Sequence, residues 1–230
     1  MATESISPAS LRAEDYESEV RLTIPLHAEL LTLAINAVLA AAPSASPWLD
    51  TGCGPGRLAQ LARARAPSAA LFLADPSPAM LALARARHAD LPPERFMPCA
   101  SDALPEGAPP FAAITALQCH HYYPDAAGRA RALARCFARL APGGLLFTSE
   151  NVRADSERGQ AQQRARWAAW LAAQGRAPGE VAAQLAREGT AFFPLRVGEL
   201  AALLRGAGFE DVELVWRSHG QAAFVAFRPA

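Results

Sequence analysis

Two stretches of this sequence carry residues whose types and spacing suit chemistry. The first, WLDTGCGPG from Trp48 to Gly56, packs three glycines into five positions between an apolar run and a helical pattern. Glycines there permit positive φ and close approach of a ligand to the backbone, and a helix starting at Arg57 turns its N-terminal amides toward whatever the loop contacts. Nineteen residues after Gly56, the segment LFLAD ends in Asp75, where a carboxylate accepts hydrogen bonds from the two hydroxyls of a ribose. Gly54-Pro-Gly-Arg-Leu-Ala59 also satisfies G-x-G-x-x-G/A, which keeps a nicotinamide-dependent oxidoreductase open as an alternative. Against it, Asp50 ends the run just before the loop, where it holds an ammonium group and repels a pyrophosphate. Asp102 with Ala103 is placed to address an adenine amino group. An amino-acid head and an adenosine tail together describe S-adenosylmethionine.

The second stretch is QCHHYYP, Gln118 to Pro124. Methyl transfer from a sulfonium is an in-line displacement, so a protein that catalyses it chiefly aligns the acceptor and excludes water, and an acidic acceptor proton also needs a base. Histidine titrates near neutral pH, which makes His121 the candidate base or orienter, supported by His120 and Tyr122. Glu150, followed by Asn151, ends a strand facing the same mouth. Farther on, Trp167, Trp170 and Arg187 precede GTAFFP (189–194), a set suited to walling a partly aromatic or anionic substrate. His219 sits in the terminal turn, with a structural or exposed position as its ordinary role. Cys119 fits a small strand-end residue better than a nucleophile.

These residues need a scaffold, and the periodicity supplies one. Residues 10–42 have helical spacing interrupted at Pro25, which predicts two N-terminal helices. Strands are predicted over 47–52, 71–75, 96–102, 111–118 and 143–151, with helices between them. This alternation implies a mostly parallel sheet covered on both faces. After Asn151 the rhythm breaks: 155–174 and 179–188 are helical with no strand between, predicting a cap over one edge of the sheet. A helix over 197–208 and two strands joined by the short RSHGQ turn, favouring an antiparallel hairpin, complete the chain. The domain organisation expected is one domain over 1–230, with N-terminal helices at 10–42 and a helical cap insertion at 153–190.

Composition narrows the function classes. Basic and acidic residues balance at 22 each, so no global field attracts phosphate backbones, and nucleic acid is an improbable partner. No run of 18 apolar residues and no basic-then-apolar leader is present, from which a soluble, cytoplasmic protein with no membrane partner is expected. The four cysteines, Cys53, Cys99, Cys119 and Cys136, have no CxxC or zinc-like spacing, so reduced thiols and no metal are expected. The partner expected is a small-molecule methyl acceptor; the oligomeric state is left open.

LDTGCGPG, LADPSPAML, ASDAL and LAPGG, in this order and spacing, resemble the class I S-adenosylmethionine-dependent methyltransferases over about residues 20 to 228. The resemblance implies a Rossmann-like α/β fold whose seven-stranded, mostly parallel sheet has an antiparallel last strand. It implies S-adenosyl-L-methionine as cofactor, with Asp50, Gly52, Cys53 and Gly54 around its methionine portion and Asp75 on its ribose. It sets Pro76 and Met80 along the adenine, Asp102 and Ala103 at the adenine edge, and Ala116 and Leu117 near the sulfonium. Arg21 and His27, in RLTIPLH, are implied to close over it. Ile24 to His27, the cap ending in Arg187, and ELVWRSHGQAAFVAF are similar to carboxy-S-adenosylmethionine synthases, in which a cap arginine grips an extra carboxylate on the cofactor. This sequence departs from that subfamily in having His at position 27 and the bulky CHHYY. The leading expectation is a methyltransferase acting on an O, N or S atom of a small molecule. Its alternatives are a carboxy-S-adenosylmethionine synthase-like transferase, the oxidoreductase, and a non-catalytic cofactor-binding partner protein.

Overall fold

The computed structural model describes residues 16–42 and 47–230. The chain begins with α1 (Tyr16–Thr23) and α2 (His27–Ala41), bent by 97° across a break in which Leu26 takes a left-handed φ of 56°. The break falls at Pro25, which the periodicity marks; residues 10–15 of the predicted N-terminal helix lie outside the described residues. Strand β1 (Trp48–Thr51), α3 (Arg57–Arg65), β2 (Leu71–Ala74), α4 (Pro78–Arg87), β3 (Phe96–Met97), β4 (Phe111–Leu117), α5 (Ala126–Arg139) and β5 (Leu140–Arg153) then alternate as expected. The cap helices are α6 (Glu157–Ala173) and α7 (Pro178–Leu185), followed by β6 (Leu195–Arg196), α8 (Val197–Gly206), β7 (Glu210–Ser218) and β8 (Gln221–Phe227).

The main sheet runs β3-β2-β1-β4-β5-β8-β7. The first five strands are parallel neighbours, and β8 is antiparallel to both β5 and β7. Strand order reverses between β1 and β4, the point at which open α/β sheets bind ligands outside the carboxyl ends of their strands. Two details correct the sequence-based expectation. An eighth strand, β6, adds two residues beside the far end of β5. The third strand stops at Met97 instead of running to 102, and Ser101–Ala103 forms a 3-10 turn.

Both faces of the sheet are apolar, so alternate residues of one strand serve different cores. Trp48, Leu71, Leu73, Leu145 and Phe147 pack with α2, α3 and α4 on one side. Leu49, Ile114, Leu146 and Phe224 pack with Leu133 of α5 and Leu204 of α8 on the other. Among the described residues no single helix is long and apolar enough to cross a membrane.

Candidate active site

At the carboxyl ends of β1 and β4 lies a cavity of about 340 Å³, lined by Asp50, Gly52, Cys53, Leu117, Gln118, Arg57 and residues of α1 and α2 that include Arg21 and His27. The backbone shapes it. Gly52 has φ 66°, and a Cβ there would sit 2.4 Å from Cys119 Cβ, so only glycine fits between the loop and the end of β4. Asp75, at the end of β2, is buried and accepts hydrogen bonds from Gly54 N at 2.9 Å and Ser77 N at 2.8 Å. One carboxylate therefore holds both the glycine loop and the start of α4, and burial pushes its pKa up.

Asp50 is fixed from behind. Trp48 Nε1 donates to Thr115 Oγ1 at 3.1 Å, and that hydroxyl donates to Asp50 Oδ1 at 2.9 Å. Burial pushes Asp50 up to about 7, against the Thr115 hydrogen bond and with help from the Asp75 charge. A carboxyl held half-protonated at a cavity wall gains from a cation placed beside it. On the opposite wall His27 is pushed down to about 4, first by burial and then by Arg21, so it is neutral near pH 7. Burial raises the Cys53 thiol well above its ordinary value, which leaves that residue a protonated, backbone-shaping part of the loop.

A second cavity, of about 480 Å³, lies beside the first and is lined by His121, Tyr122, Asn151, Trp167, Arg187 and Phe192, among others. The two share Tyr16, Val20, Ile24 and Gln118 as a common wall. Its chemistry centres on a 3-10 turn at His120–Tyr122 that leaves β4. The Glu150 carboxylate is buried beneath this turn and accepts from His120 N at 3.2 Å and His121 N at 2.6 Å. His121 Nδ1 lies 2.9 Å from Glu150 Oε2. An ionised carboxylate only accepts, so Nδ1 is the donor of that pair; Asn151 N lies 3.3 Å from the same nitrogen, and the Asn151 side-chain amide lies 3.3 Å from Nε2. Burial alone would raise the Glu150 pKa; the hydrogen bond and charge of His121, with His120 and Arg129, instead hold it below the usual carboxylate value.

The cap is tied to this turn. Phe193 N donates to His121 O at 2.8 Å, and the buried Arg129 bridges His120 O at 3.0 Å, Tyr123 O at 3.1 Å and Phe193 O at 2.5 Å. Trp167 Nε1 reaches Thr23 O at 2.9 Å, and Arg176 pairs with Glu19, fastening α6 and the segment after it to α1. Tyr122 packs against His121 with ring centroids 4.4 Å apart, and Phe192 meets the same imidazole edge-on at 5.9 Å.

A family pattern described as "Methyltransferase domain" matches residues 26–214. The chain belongs to this family of S-adenosylmethionine-dependent methyltransferases. The chain is 42% identical over 112 residues to a trans-aconitate 2-methyltransferase of Methylobacterium radiotolerans, a match covering 47% of this chain and 40% of that one. This chain thus spans about two fifths of that relative's length. It is 24% identical over 214 residues to a carboxy-S-adenosyl-L-methionine synthase of Trichodesmium erythraeum, covering 93% of this chain and 85% of the other. Among solved structures, an O-methyltransferase family protein of Burkholderia thailandensis superposes with a TM-score of 0.67 at 19% identity, over 95% of this chain and 60% of that one, a likeness of fold.

The remaining expected site residues fall into two groups. Pro76 is half-buried beside Asp75, Met80 is buried in the first turn of α4, and Asp102 accepts from Tyr123 Oη at 2.8 Å with exposed Ala103 next to it. Four assignments need correction. Ala116 is fully buried within the sheet, its carbonyl bonded to Thr148 Oγ1, and only Leu117 of that pair reaches the cavity. His120 and Glu150 line neither cavity: the His120 ring points inward, with Nε2 2.9 Å from Ser101 Oγ, and Glu150 acts through the turn above it. Trp170 turns away toward His219, 5.7 Å between ring centroids. Cys119, His120 and Glu150 do offer ligand atoms within 4.8 Å of one another, a grouping that cysteine spacing does not reveal. Sequence reasoning missed Tyr16, Gln118, Arg176, Glu180 and Gln184 as lining residues. Gln118 adopts φ 54°, which no local motif announces.

Proposed function

We propose that this methyltransferase uses S-adenosylmethionine to methylate a small-molecule acceptor that carries an acidic proton on the reacting O, N or S atom, with His121 as its base. The observation that carries this is the His121 imidazole on the wall of the 480 Å³ cavity, its Nδ1 held by buried Glu150 and its Nε2 beside the Asn151 side-chain amide. When bound, the cofactor supplies a methyl group on a sulfonium. Asp50 would hold its ammonium, Asp75 its ribose, and Pro76, Met80 and Asp102 its adenine; the missing side chain at Gly52 lets the loop pack directly against Cys119 at the end of β4. On the acceptor side, His121 Nε2 takes the proton and Glu150 stabilises the imidazolium that results, as a positioning residue. Tyr122, Trp167 and Phe192 exclude water and orient the acceptor by its flat or apolar part.

Arg187 adds a preference. Its guanidinium bonds Gln184 Oε1 at 3.1 Å, and among the described residues no carboxylate forms a salt bridge with it. An acceptor bearing a carboxylate meets that charge, which agrees with the name of the relative that acts on trans-aconitate. The same arginine favours a second reading, carboxy-transfer to the cofactor, in line with the name of the synthase relative. Mass spectrometry of the small molecule that copurifies, with calorimetric titration of S-adenosylmethionine, S-adenosylhomocysteine and NAD, tests both. Copurified S-adenosylmethionine or S-adenosylhomocysteine, followed by transfer of labelled methyl to carboxylate-bearing acceptors, supports the first reading. A carboxylated cofactor moves the assignment to the second. NAD binding alone overturns both.

A further inference from the structure

We propose that Arg87 and His88, the last residue of α4 and the one after it, are positioning residues for cofactor binding, clamping two successive carbonyls of the glycine loop. Arg87 Nη1 donates to Pro55 O at 2.5 Å, and His88 Nε2 lies 3.0 Å from Gly56 O. Both contacts span 32 residues of sequence and reach the loop from its outer side. Arg87 also pairs with Glu17 of α1, the helix whose Tyr16 ring would lie 3.5 Å from a Cβ at Gly54. A single side chain thus ties the loop under the cavity to the helix over it.

The His88 proton is placed by a relay. Asp90 accepts from both ends of the Arg63 guanidinium, and Arg63 Nη1 lies 3.4 Å from His88 Nδ1. Arginine only donates, so Nδ1 must accept, which leaves the imidazole proton on Nε2, aimed at the Gly56 carbonyl. Gly56 has φ 79° and caps α3; a Cβ there would come 3.0 Å from His88 Nε2. In a trans peptide the C=O and the following N–H point opposite ways. The Gly56 carbonyl also accepts from Gln60 N at 3.1 Å, the first bond of α3, so the Arg57 amide points back out of the helix start; His88 adds a second donor to that carbonyl, and Arg57 is one of the cavity's lining residues. Burial lowers the His88 pKa, with Arg63 and Arg87 adding to that and the Gly56 bond and Asp90 opposing it. Protonation would put a hydrogen on Nδ1 against the Arg63 guanidinium and break the relay.

This inference rests on the loop holding the cofactor, and the experiment separates the two. Titration calorimetry with S-adenosylhomocysteine and S-adenosylmethionine from pH 5.5 to 8.5 compares the parent protein with His88→Gln, His88→Leu and Arg87→Gln. Glutamine keeps an N–H for Gly56 O and does not titrate, so His88→Gln should bind within about twofold at pH 8 and lose less affinity than the parent at acid pH. The Asp50 contribution is common to both proteins and cancels in that comparison. His88→Leu should weaken binding about tenfold, the size of one lost hydrogen bond, with KM for the donor raised and kcat kept. Nitrogen NMR of the ligand-free protein should report the Nε2–H tautomer for His88. A folded His88→Leu with parental affinity, a His88→Gln profile identical to the parent's, or an Nδ1–H tautomer overturns the clamp. If His88→Leu does not fold, the glutamine profile and the tautomer decide. Failure of the parent to bind either ligand strikes the cofactor assignment instead, and the clamp then rests on the tautomer alone.

Discussion

The two cavities at the carboxyl edge of the sheet are built in opposite ways. The one beneath α1 is a backbone structure: a five-residue loop, 52–56, bent through glycines, held by Asp75 from the next strand and by Arg87 and His88 from the next helix. Its neighbour is a side-chain structure, assembled from α1, the turn after β4, β5, α6, α7 and the 189–194 segment. A backbone site fixes a shape that few substitutions preserve. A side-chain site fixes a chemistry that substitutions retune one contact at a time. The first should therefore tolerate change poorly and the second gradually.

Gly52→Ala tests the rigid half and has the largest expected effect. Its Cβ would overlap Cys119 at 2.4 Å with φ at 66°, so a loss of ~3 kcal/mol in thermal or urea unfolding is expected. An alanine variant of parental stability would show that the loop is not rigid. His121→Ala tests the chemical half: turnover should fall ~10²- to 10³-fold while cofactor affinity in calorimetry stays within about twofold. Equal loss of both would make the turn a cofactor element and erase the contrast.

Asp50 joins the two by pH. Its pKa is raised from 3.8 to about 7, so the ligand-free fold is favoured when it is protonated, and that contribution is lost as pH rises through about 7. A cationic ligand prefers the ionised form, so S-adenosylmethionine affinity should rise with pH across the same window and binding should release a proton. Asp50→Asn should flatten this dependence, weaken binding about tenfold and make the ligand-free protein more stable above pH 7; calorimetry in buffers of different ionisation enthalpy counts the proton. Arg187→Gln should raise the acceptor KM about tenfold for a carboxylate-bearing acceptor and leave kcat nearly unchanged. The smallest change, about twofold in the same KM, is expected of Trp167→Phe, which keeps the aromatic wall and loses only the hydrogen bond to Thr23 O.

The same contrast explains what could be read from sequence. Strands β1, β2, β4 and β5 announce themselves because a sheet covered on both faces needs unbroken apolar runs, and the glycine loop is legible because its glycines, Asp50 and the helix start are contiguous. Asp75 follows from a fixed spacing. The acceptor cavity has no such contiguity. Tyr16 and Gln184 belong to helices and Arg176 to the connection between α6 and α7, where exposed and lining residues have similar composition, and only tertiary packing selects among them. Glu150 and His120 were legible as types but not as positions, since a carboxylate at a strand end faces the mouth or the turn beneath it according to one backbone twist. The two-residue β6 is too short to have a period, and the third strand ends early where Ser101 turns to meet His120 and Thr51.

Tyr16, Val20 and Ile24 of α1, with Gln118, bound both cavities at once. Any shift of that wall subtracts room from one ligand as it adds room for the other, so the two occupancies are thermodynamically linked, and the linkage is reciprocal. Its signature is that saturating either ligand changes the affinity for the other by the same factor.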